Sequence, residues 1–378
     1  RVYIIAPRFP GYKDKGENIY RLTSFKFVDK PEIRWALQLP EKSLLKILGI
    51  DFDVIHVHSG GGITLVGVEI ARAKNIPLIA TYHTFLNRYT HYFFKGKIIR
   101  PKMLVLATKL VGNVCDNIIA PTERVKKELI SYGIKKPIFV LPSGIGVKNY
   151  KDIEEGCLRK KLSVDKNKKI LLYVGRLGKE KSVDFLIESF SIIHRKDPKT
   201  IFVLIGNGPE KKHLKKIAEK LNIHKYVYFA GTFKHSDIPK VYADADLFIF
   251  SSQTETQGLV VAEALASGLP VVAVQDEAIA DVIQNGENGF IVEKNAQVFA
   301  EKALKILGDK NLYLKLSDSA KKSVEKYSDD KVAKQLEDLY EELVKKKGEK
   351  KNINNFNRKL FNDFMRKMND QIKSFLYA

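Results

Sequence analysis

Short apolar runs alternate along the chain with segments that have the periodicity of amphipathic helices. This alternation is typical of parallel sheets that are covered by helices on both faces, because parallel strands need a helix-length connection. It predicts an α/β fold with two series of strands. The first series is Val2–Pro7, Val54–Ser59, Leu78–His83, Asn117–Pro121 and Ile138–Leu141, and the second is Ile170–Val174, Ile201–Ile205, Val227–Ala230, Leu247–Phe250, Val271–Val274 and Phe290–Val292.

The polar and charged stretch Asn149–Lys169 separates the two series. We therefore predict two doubly wound, Rossmann-like domains, residues 1–148 and 149–328. The carboxyl ends of their strands should face a shared cleft, where open α/β sheets bind ligands. A helix over 329–346 is expected to cross back, and a basic amphipathic tail over 347–378 ends the chain.

The formal net charge of +21 is unevenly distributed. Residues 1–150 hold 24 Lys and Arg against 11 Asp and Glu, 151–344 hold 31 against 30, and 345–378 hold 10 against 3. A basic partner surface is therefore expected on the first domain and the tail. Cys115 and Cys157 are far apart, without partners at metal-ligand spacing, which fits a reduced intracellular protein.

No apolar run reaches the roughly 18–20 residues of a membrane span, and the first residues do not have the pattern of a signal peptide. We expect a cytoplasmic location.

Two carboxylates lie eight positions apart in the segment SSQTETQGLVVAEALASGLPVVA, residues 251–273. Glu255 lies in a polar loop after a predicted strand, and Glu263 lies nearly two turns into a helix that Gly258 opens. The free N–H groups at the start of this helix suit a phosphate. Beside them, Glu255 and Glu263 could accept hydrogen bonds from hydroxyls of a sugar and of a ribose. Each glutamate alone has a structural alternative: Glu255 interacts favourably with the helix dipole, and Glu263 is a solvated helix residue.

Other candidate ligand residues follow the neighbouring strands of the second domain. The first of these strands is followed by Gly175, Arg176 and Lys181. The cationic side chains of Arg176 and Lys181 suit a diphosphate leaving group, because negative charge grows on it as its bond to the sugar breaks. Glycine turns follow the next two strands and let the backbone approach a flat ring; they contain Gly206, Asn207, Thr232 and Phe233. Together these features indicate a nucleotide sugar.

At these motifs the chain resembles the retaining glycosyltransferases of family 4, which have the GT-B fold. The resemblance covers most of residues 1–345, and its most specific parts are Glu255-x7-Glu263 and Gly175-Arg176-x4-Lys181. It implies that Arg176 and Lys181 bind the diphosphate, that Glu255 contacts the donor sugar and that Glu263 contacts the ribose. It also places the turns at Gly206 and Thr232–Phe233 near the base. The predicted donor-binding residues also include Asn207, Thr256, Gln257, Gly258 and Leu259.

The first domain contributes His83 at the end of a strand. The resemblance implies that His83 hydrogen-bonds a sugar hydroxyl and helps to stabilise an oxocarbenium-like transition state; a core histidine is the alternative. His56 and His58, at the preceding strand end, are expected to support His83 or to lie on the acceptor side. Retaining transfer needs no general base on the enzyme, because the leaving phosphate oxygen can take the acceptor's proton. We expect no cofactor and no metal.

Two departures from the family pattern stand out. The Gly-rich loop that usually follows the family's first strand has no match here. We therefore expect that an upstream βα unit is missing and that this chain is inactive without it; Val2–Pro7 as a true first strand is the alternative. Where the family often has Asn-Gly after the last strand of the first domain, this chain has Ser143-Gly144.

Two short segments, Thr254–Leu259 and Tyr82–Tyr92, most resemble bacterial enzymes that glucosylate diacylglycerol. This likeness implies a 1,2-diacylglycerol 3-alpha-glucosyltransferase that uses UDP-glucose at a membrane surface. A mannosyltransferase acting on phosphatidylinositol or a lipid-linked sugar is the nearest alternative. A nucleic-acid-binding protein and a nucleotide-sugar epimerase are alternatives from other classes. The sequence has no recognised nucleic-acid motif, so we expect no nucleic-acid partner.

The tail has apolar residues at three- and four-residue spacing with basic residues among them, which is typical of an amphipathic basic helix. We predict that the tail and the basic segment Tyr92–Lys102 hold the enzyme on an anionic membrane, peripherally at the inner face of the cell membrane. Packing back on the first domain is the alternative for the tail. The apolar residues are Phe356, Leu360, Phe361, Phe364, Met365, Met368, Ile372, Phe375 and Leu376, and the basic ones are Arg358, Lys359, Arg366, Lys367 and Lys373.

Overall fold

The chain divides into two compact units. One contains residues up to Leu141 together with those from Gln335 onward, and the other spans Pro142–Lys334. The computed structural model describes residues 1–12, 14, 16–26, 34–37, 39, 41–58, 62–85, 100–151, 153–154 and 156–349.

The second unit is built on one sheet of six parallel strands. In chain order these are β9 Lys169–Val174, β10 Thr200–Ile205, β11 Val227–Gly231, β12 Leu247–Phe250, β13 Val271–Val274 and β14 Gly289–Val292. They are arranged β11-β10-β9-β12-β13-β14. The order therefore reverses at β9, which has β10 on one side and β12 on the other. Such a reversal creates a crevice at the carboxyl ends of the two central strands.

Helices complete the second unit and bury its sheet. All residues of β10, β12 and β13 are buried, as expected for strands covered on both faces. One continuous apolar core joins the sheet to these helices. The helices are α5 Cys157–Leu162, α6 Val183–Lys196, α7 Lys211–Lys220, α8 Ile238–Ala243, α9 Leu259–Ala266, α10 Glu277–Ala280, α11 Ala296–Gly308 and α12 Lys310–Ser323.

The first unit contains a four-stranded parallel sheet and two pairs of short strands. The sheet has the order β5-β6-β7-β8, and among the described residues β1 pairs in parallel with β2 and β3 pairs antiparallel with β4. The strands are β1 Ile4–Pro7, β2 Ile19–Leu22, β3 Ser24–Lys26, β4 Arg34–Ala36, β5 Ile55–Val57, β6 Leu78–Thr81, β7 Asn117–Ala120 and β8 Ile138–Val140.

The last described helix belongs largely to the first unit. The helices of this unit are α1 Lys42–Leu48, α2 Gly62–Lys74, α3 Pro101–Val114 and α4 Glu123–Ser131, and α13 Asp329–Glu349 joins them from Gln335 onward. Leu339 and Leu343 of α13 pack with Ile79 and Ile119 of the sheet. Lys347 also donates to the Asp116 carboxylate at 2.9 Å. The part of α13 from Gln335 onward thus packs on this unit's core.

The predicted class, two doubly wound Rossmann-like domains with parallel sheets, is confirmed. Each predicted strand of the two series corresponds to an observed strand, with bounds that differ by at most a few residues. The short strands β2, β3 and β4 were missed because their sequences, IYRL, SFK and RWA, each contain a basic residue and are not the apolar runs that indicated the other strands. No helix in the described part of the chain is both long and apolar enough to cross a bilayer.

A buried carboxylate holds the start of α5 in the second unit. Asp244 is 3% exposed, and it accepts hydrogen bonds from the backbone N–H groups of Gly156, Leu158 and Arg159. These N–H groups have no partner within a first helical turn, so a carboxylate is well suited to satisfy them.

We expect Asp244→Ala to lower the free energy of unfolding of the second unit by about 2–3 kcal/mol, because it leaves buried N–H groups unpaired. Asp309→Ala is the matched control. Asp309 caps α12 through the N–H groups of Asn311 and Leu312 but is exposed, and its loss should cost about 1 kcal/mol or less. Thermal and urea unfolding measure both, and equal losses would contradict this assignment.

Candidate functional site

The loops that follow β9 and β12 meet at the point where the strand order reverses. Lys181, in the loop after β9, places its ammonium 2.5 Å from an oxygen of Glu255, in the loop after β12. The side chains are only 18% and 16% exposed. The hydroxyl of Ser251, the first residue after β12, contacts the carbonyl oxygens of Lys181 and Ser182 at 2.7 and 2.9 Å and ties the two loops together. The structure thus brings together two residues that are 74 positions apart.

Arg176 lies in the same loop as Lys181 and is half-buried. Its carbonyl accepts a hydrogen bond of 2.9 Å from the buried hydroxyl of Tyr173, which fixes the turn at Gly175. Burial raises the pKa of the Tyr173 hydroxyl well above its ordinary value, and the negative charges of Glu255 and Glu180 add to this effect. Tyr173 therefore stays a neutral donor in this loop.

The ends of β9, β10 and β11 are joined by backbone hydrogen bonds that glycines donate. Gly206 donates to the carbonyl of Gly231 at 2.8 Å, and Gly175 donates to Ile205 at 2.9 Å. Gly206 has φ of +132°, and a Cβ there would lie 1.9 Å from the carbonyl oxygen of Gly175. Only glycine allows this approach, which leaves an open backbone surface at the strand ends.

The residues predicted to lie near the nucleotide base follow β10 and β11. Asn207 is exposed, and its side-chain oxygen lies 3.4 Å from the Lys211 ammonium. Thr232 is exposed after β11, and the ring of Phe233 lies 3.7 Å beneath the Lys161 ammonium. An ammonium over an aromatic face is a favourable cation–π contact.

Helix α9 begins beside Glu255. Gly258 precedes it with φ of +75°, and a Cβ there would lie 2.5 Å from Ile279. Gln257 is buried, and its side-chain amide forms two hydrogen bonds of 2.8 and 3.0 Å with the backbone of Ser143. The side chain of Gln257 is therefore occupied within the protein. The backbone N–H groups near the start of α9, beside Thr256 and Leu259, are suitable donors for an anion.

Helix α9 begins at Leu259, so Glu263 is its fifth residue. Glu263 therefore lies about one turn into the helix, and the predicted position of nearly two turns is wrong. The Tyr242 hydroxyl lies 3.0 Å from its Oε2, and Tyr150 also bonds to this carboxylate. Burial raises the pKa of Glu263, and the bonds from Tyr242 and Tyr150 oppose that rise.

In the first unit, three histidines form a row at the ends of β5 and β6. His58 Nδ1 and His83 Nε2 are 3.1 Å apart, and the rings of His56 and His58 lie 4.0 Å apart. Partial desolvation lowers the pKa of His58 and of His83, although both side chains are exposed, and a hydrogen bond between the two ring nitrogens needs one of them to be unprotonated. His56 bonds to Thr81 at 2.6 Å and to Tyr340 of α13 at 2.5 Å.

Comparison with known proteins identifies the family to which this chain belongs. Residues 156–323 match the family model described as Glycosyl transferases group 1, and residues 1–148 match that of Glycosyltransferase Family 4. The alpha-monoglucosyldiacylglycerol synthase of Acholeplasma laidlawii is 30% identical over 93% of this chain and 91% of its own length. The chain belongs to the GT-B glycosyltransferases of this family.

Two further proteins are similar to this glycosyltransferase. The alpha-monoglucosyldiacylglycerol synthase of Streptococcus pneumoniae is 34% identical over 68% of this chain and 59% of its own length. The crystal structure of Anabaena HepE in complex with UDP superposes with a TM-score of 0.67 at 20% identity, covering 80% of this chain and 82% of that one. The second likeness shows the shared fold.

Sequence reasoning missed several residues that contact the candidate site. Ser251, Tyr242, Tyr150 and Tyr340 belong to no motif, and each contacts a predicted site residue or its loop only through the folded backbone. Within the described ranges, no group of three or more His, Cys, Asp or Glu side chains is arranged to hold a metal ion.

The row of histidines makes the stability of the first unit sensitive to acid. Burial, aided by repulsion from His58 and His83, lowers the pKa of His56 from 6.5 to about 3. Between pH 6.5 and about 3, the unfolded chain therefore binds a proton at His56 that the folded chain does not bind. The stability that neutral His56 contributes is fully present above about pH 6.5 and is lost as the pH falls toward 3.

We expect the first unit of wild-type protein to lose more stability between pH 6.5 and 3 than the same unit in the His56→Gln variant, because glutamine does not titrate. Thermal unfolding across this pH range measures the difference. His224→Gln, on the surface of the second unit, is the matched control and should follow the wild type. If the stability of the first unit fell equally with pH in the wild type and in His56→Gln, the lowered pKa assigned to His56 would be contradicted.

Proposed function

We propose that this glycosyltransferase moves glucose from UDP-glucose to a membrane lipid, 1,2-diacylglycerol, with retention of the anomeric configuration. The observation that carries the proposal is the pairing of the Lys181 ammonium with the Glu255 carboxylate at the strand reversal. A diphosphate needs the first group and sugar hydroxyls need the second, so the pair suits the junction between them. The names of the relatives from Acholeplasma laidlawii and Streptococcus pneumoniae support the glucosyl donor and the lipid acceptor.

Each group at this site has a role in the proposal. Arg176 and Lys181 bind the diphosphate and stabilise the charge that grows on it as the bond to the sugar breaks. Glu255 accepts hydrogen bonds from the sugar, and Glu263 accepts them from the ribose. The backbone around Gly206, together with Asn207, Thr232 and Phe233, lies near the base. The UDP complex of the Anabaena protein, which shares this fold, supports a uridine nucleotide.

His83 contacts the transferred sugar in the proposal and stabilises positive charge near its anomeric carbon. Its Nε2 lies 3.1 Å from His58 Nδ1, which holds the ring at the end of β6. The acceptor's proton goes to the leaving phosphate oxygen on the same face of the sugar, so no enzyme carboxylate acts as base. No metal takes part, since Arg176 and Lys181 supply the positive charge, and excess EDTA should leave turnover unchanged.

The experiment that tests this function offers the protein matched donors and acceptors. UDP-glucose and GDP-mannose are each incubated with vesicles that contain diacylglycerol or phosphatidylinositol, and the lipids are analysed by mass spectrometry. The expected product is monoglucosyldiacylglycerol, and its anomeric configuration is read by NMR. A mannosylated product, or a free nucleotide sugar altered in its sugar, would overturn the proposal. So would the absence of product together with tight, salt-sensitive oligonucleotide binding.

We expect Lys181→Ala and Arg176→Ala to reduce kcat by roughly 10²–10³-fold each, because each removes a charge that acts on the leaving group in the transition state. Lys179→Ala is the matched control, since Lys179 lies in the same loop and is exposed, and it should change kcat by less than about twofold. Steady-state kinetics with UDP-glucose measures the effect. Equal losses in all three variants would refute a specific role for Arg176 and Lys181.

Glu255 is expected to restrain Lys181 before the donor binds. In Glu255→Gln the ammonium is released from its carboxylate, so UDP should bind more tightly while transfer from UDP-glucose falls. Calorimetric titration with UDP and steady-state kinetics separate these two effects.

Membrane association is part of the proposal. Helix α3 supports it, because among its residues only Gly112 is buried, and Met103 and Leu106 are 45% and 55% exposed. The basic residues Lys102 and Lys109 lie on the same helix and are exposed. Apolar side chains beside lysines suit an anionic lipid interface. The tail over 352–378 and most of the segment Tyr92–Lys102 lie outside the described residues.

We expect the protein to sediment with vesicles that contain anionic lipid, and binding should fall as salt rises. Deletion of residues 352–378 should weaken binding, and so should replacement of Met103 and Leu106 by serine. Leu314→Ser, an exposed leucine of α12, is the matched control and should bind as the wild type does. Equal binding to neutral vesicles would refute the role of the basic surface.

A further inference from the structure

Two tyrosine hydroxyls surround the Glu263 carboxylate. Tyr242 is the next-to-last residue of α8 and is fully buried, and its hydroxyl lies 3.0 Å from Glu263 Oε2 and 3.0 Å from the carbonyl oxygen of Val260. Tyr150 ends the short 3₁₀ turn Val147–Tyr150, and its hydroxyl bonds to the same carboxylate. The two rings pack with their centroids 6.0 Å apart at 60°.

This arrangement is costly for the fold alone. Glu263 is half-buried, and its carboxylate lies beside the buried rings of Tyr150 and Tyr242. A carboxylate that is largely withdrawn from water is stable only when donors replace the lost hydration. Burial also raises the pKa of Tyr150 and of Tyr242, so both hydroxyls keep their protons and act as donors.

We propose that Tyr242 and Tyr150 are positioning residues for the nucleotide's ribose, which hold the Glu263 carboxylate in the orientation that accepts its hydroxyls. A carboxylate has about four lone-pair positions. Two of them receive the tyrosine hydroxyls, and two remain for the 2′- and 3′-hydroxyls of a ribose. The inference rests on the proposed function, in which Glu263 binds the ribose.

The test compares ligands that differ by one hydroxyl. UDP and 2′-deoxy-UDP are titrated calorimetrically into the wild type and into the Tyr242→Phe, Tyr150→Phe and Glu263→Ala variants. We expect each tyrosine variant to bind UDP roughly tenfold more weakly than the wild type, with a smaller loss for 2′-deoxy-UDP, which keeps only the 3′-hydroxyl as a partner for Glu263. In the Glu263→Ala background neither tyrosine substitution should weaken UDP binding further, because the group through which it acts is gone.

Tyr327→Phe is the matched control for the loss of a buried tyrosine hydroxyl. Tyr327 is 7% exposed and donates to the carbonyl of Asp281 at 2.8 Å, without contact to Glu263. It should bind both nucleotides as the wild type does. Should Tyr242→Phe fail to fold, Tyr150→Phe carries the test, because Tyr150 lies in a turn and not inside a helix.

The outcomes separate the inference from the function on which it rests. If the tyrosine variants lose the same factor for UDP and 2′-deoxy-UDP, or lose affinity in the Glu263→Ala background, their role is only structural and the inference is overturned. If the wild type does not distinguish the two ligands and Glu263→Ala binds UDP normally, the ribose assignment fails and the inference fails with it. If GDP is the nucleotide that binds, the guanosine pair is used in the same way.

Discussion

Strand β9 is hydrogen-bonded to β10 on one side and to β12 on the other, and the rest of the second unit depends on this pairing. Because the chain continues outward from β9 in both directions across the sheet, the crossover helices diverge and leave the carboxyl ends of β9 and β12 uncovered. The loops that carry Arg176, Lys181 and Glu255 occupy that gap. The buried strands beneath them make the platform rigid, so the charged groups are held by the fold and not by one another alone.

The charges at this site are stabilised differently from those on the surface. Lys148 and Asp330 form an ion pair with side chains that are 79% and 69% exposed, and such a pair contributes about 0–1 kcal/mol. Lys181 and Glu255 are four-fifths withdrawn from water, so each depends on the other for compensation. Glu263 depends in the same way on tyrosine hydroxyls. Charged groups that are held largely out of water at a strand reversal are suited to bind a polar ligand.

In the first unit, the surroundings of His83 depend on α13, which is distant from it in the sequence. Tyr340 bonds to His56, whose ring lies 4.0 Å from that of His58, and His58 bonds to His83. Tyr340 is fixed by α13, whose leucines lie in the apolar core with Ile79 and Ile119. The packing of α13 therefore helps to fix the orientation of His56, the first histidine of this row.

The sequence by itself determined the fold class, the eleven strands of the two series and the loops that carry the site. Apolar runs and glycine turns are local signals, because burial on both faces and a tight turn each impose their own residue types. Glu255-x7-Glu263 and Gly175-Arg176-x4-Lys181 were recognisable for the same reason.

The tertiary structure alone decided which side chains meet. Lys181 pairs with Glu255, Gln257 with the backbone of Ser143, and Glu263 with Tyr242, and each of these contacts joins segments that are distant in the sequence. Their partners carry no local pattern, since a contact across a sheet is set by strand order and helix packing and not by neighbouring residues.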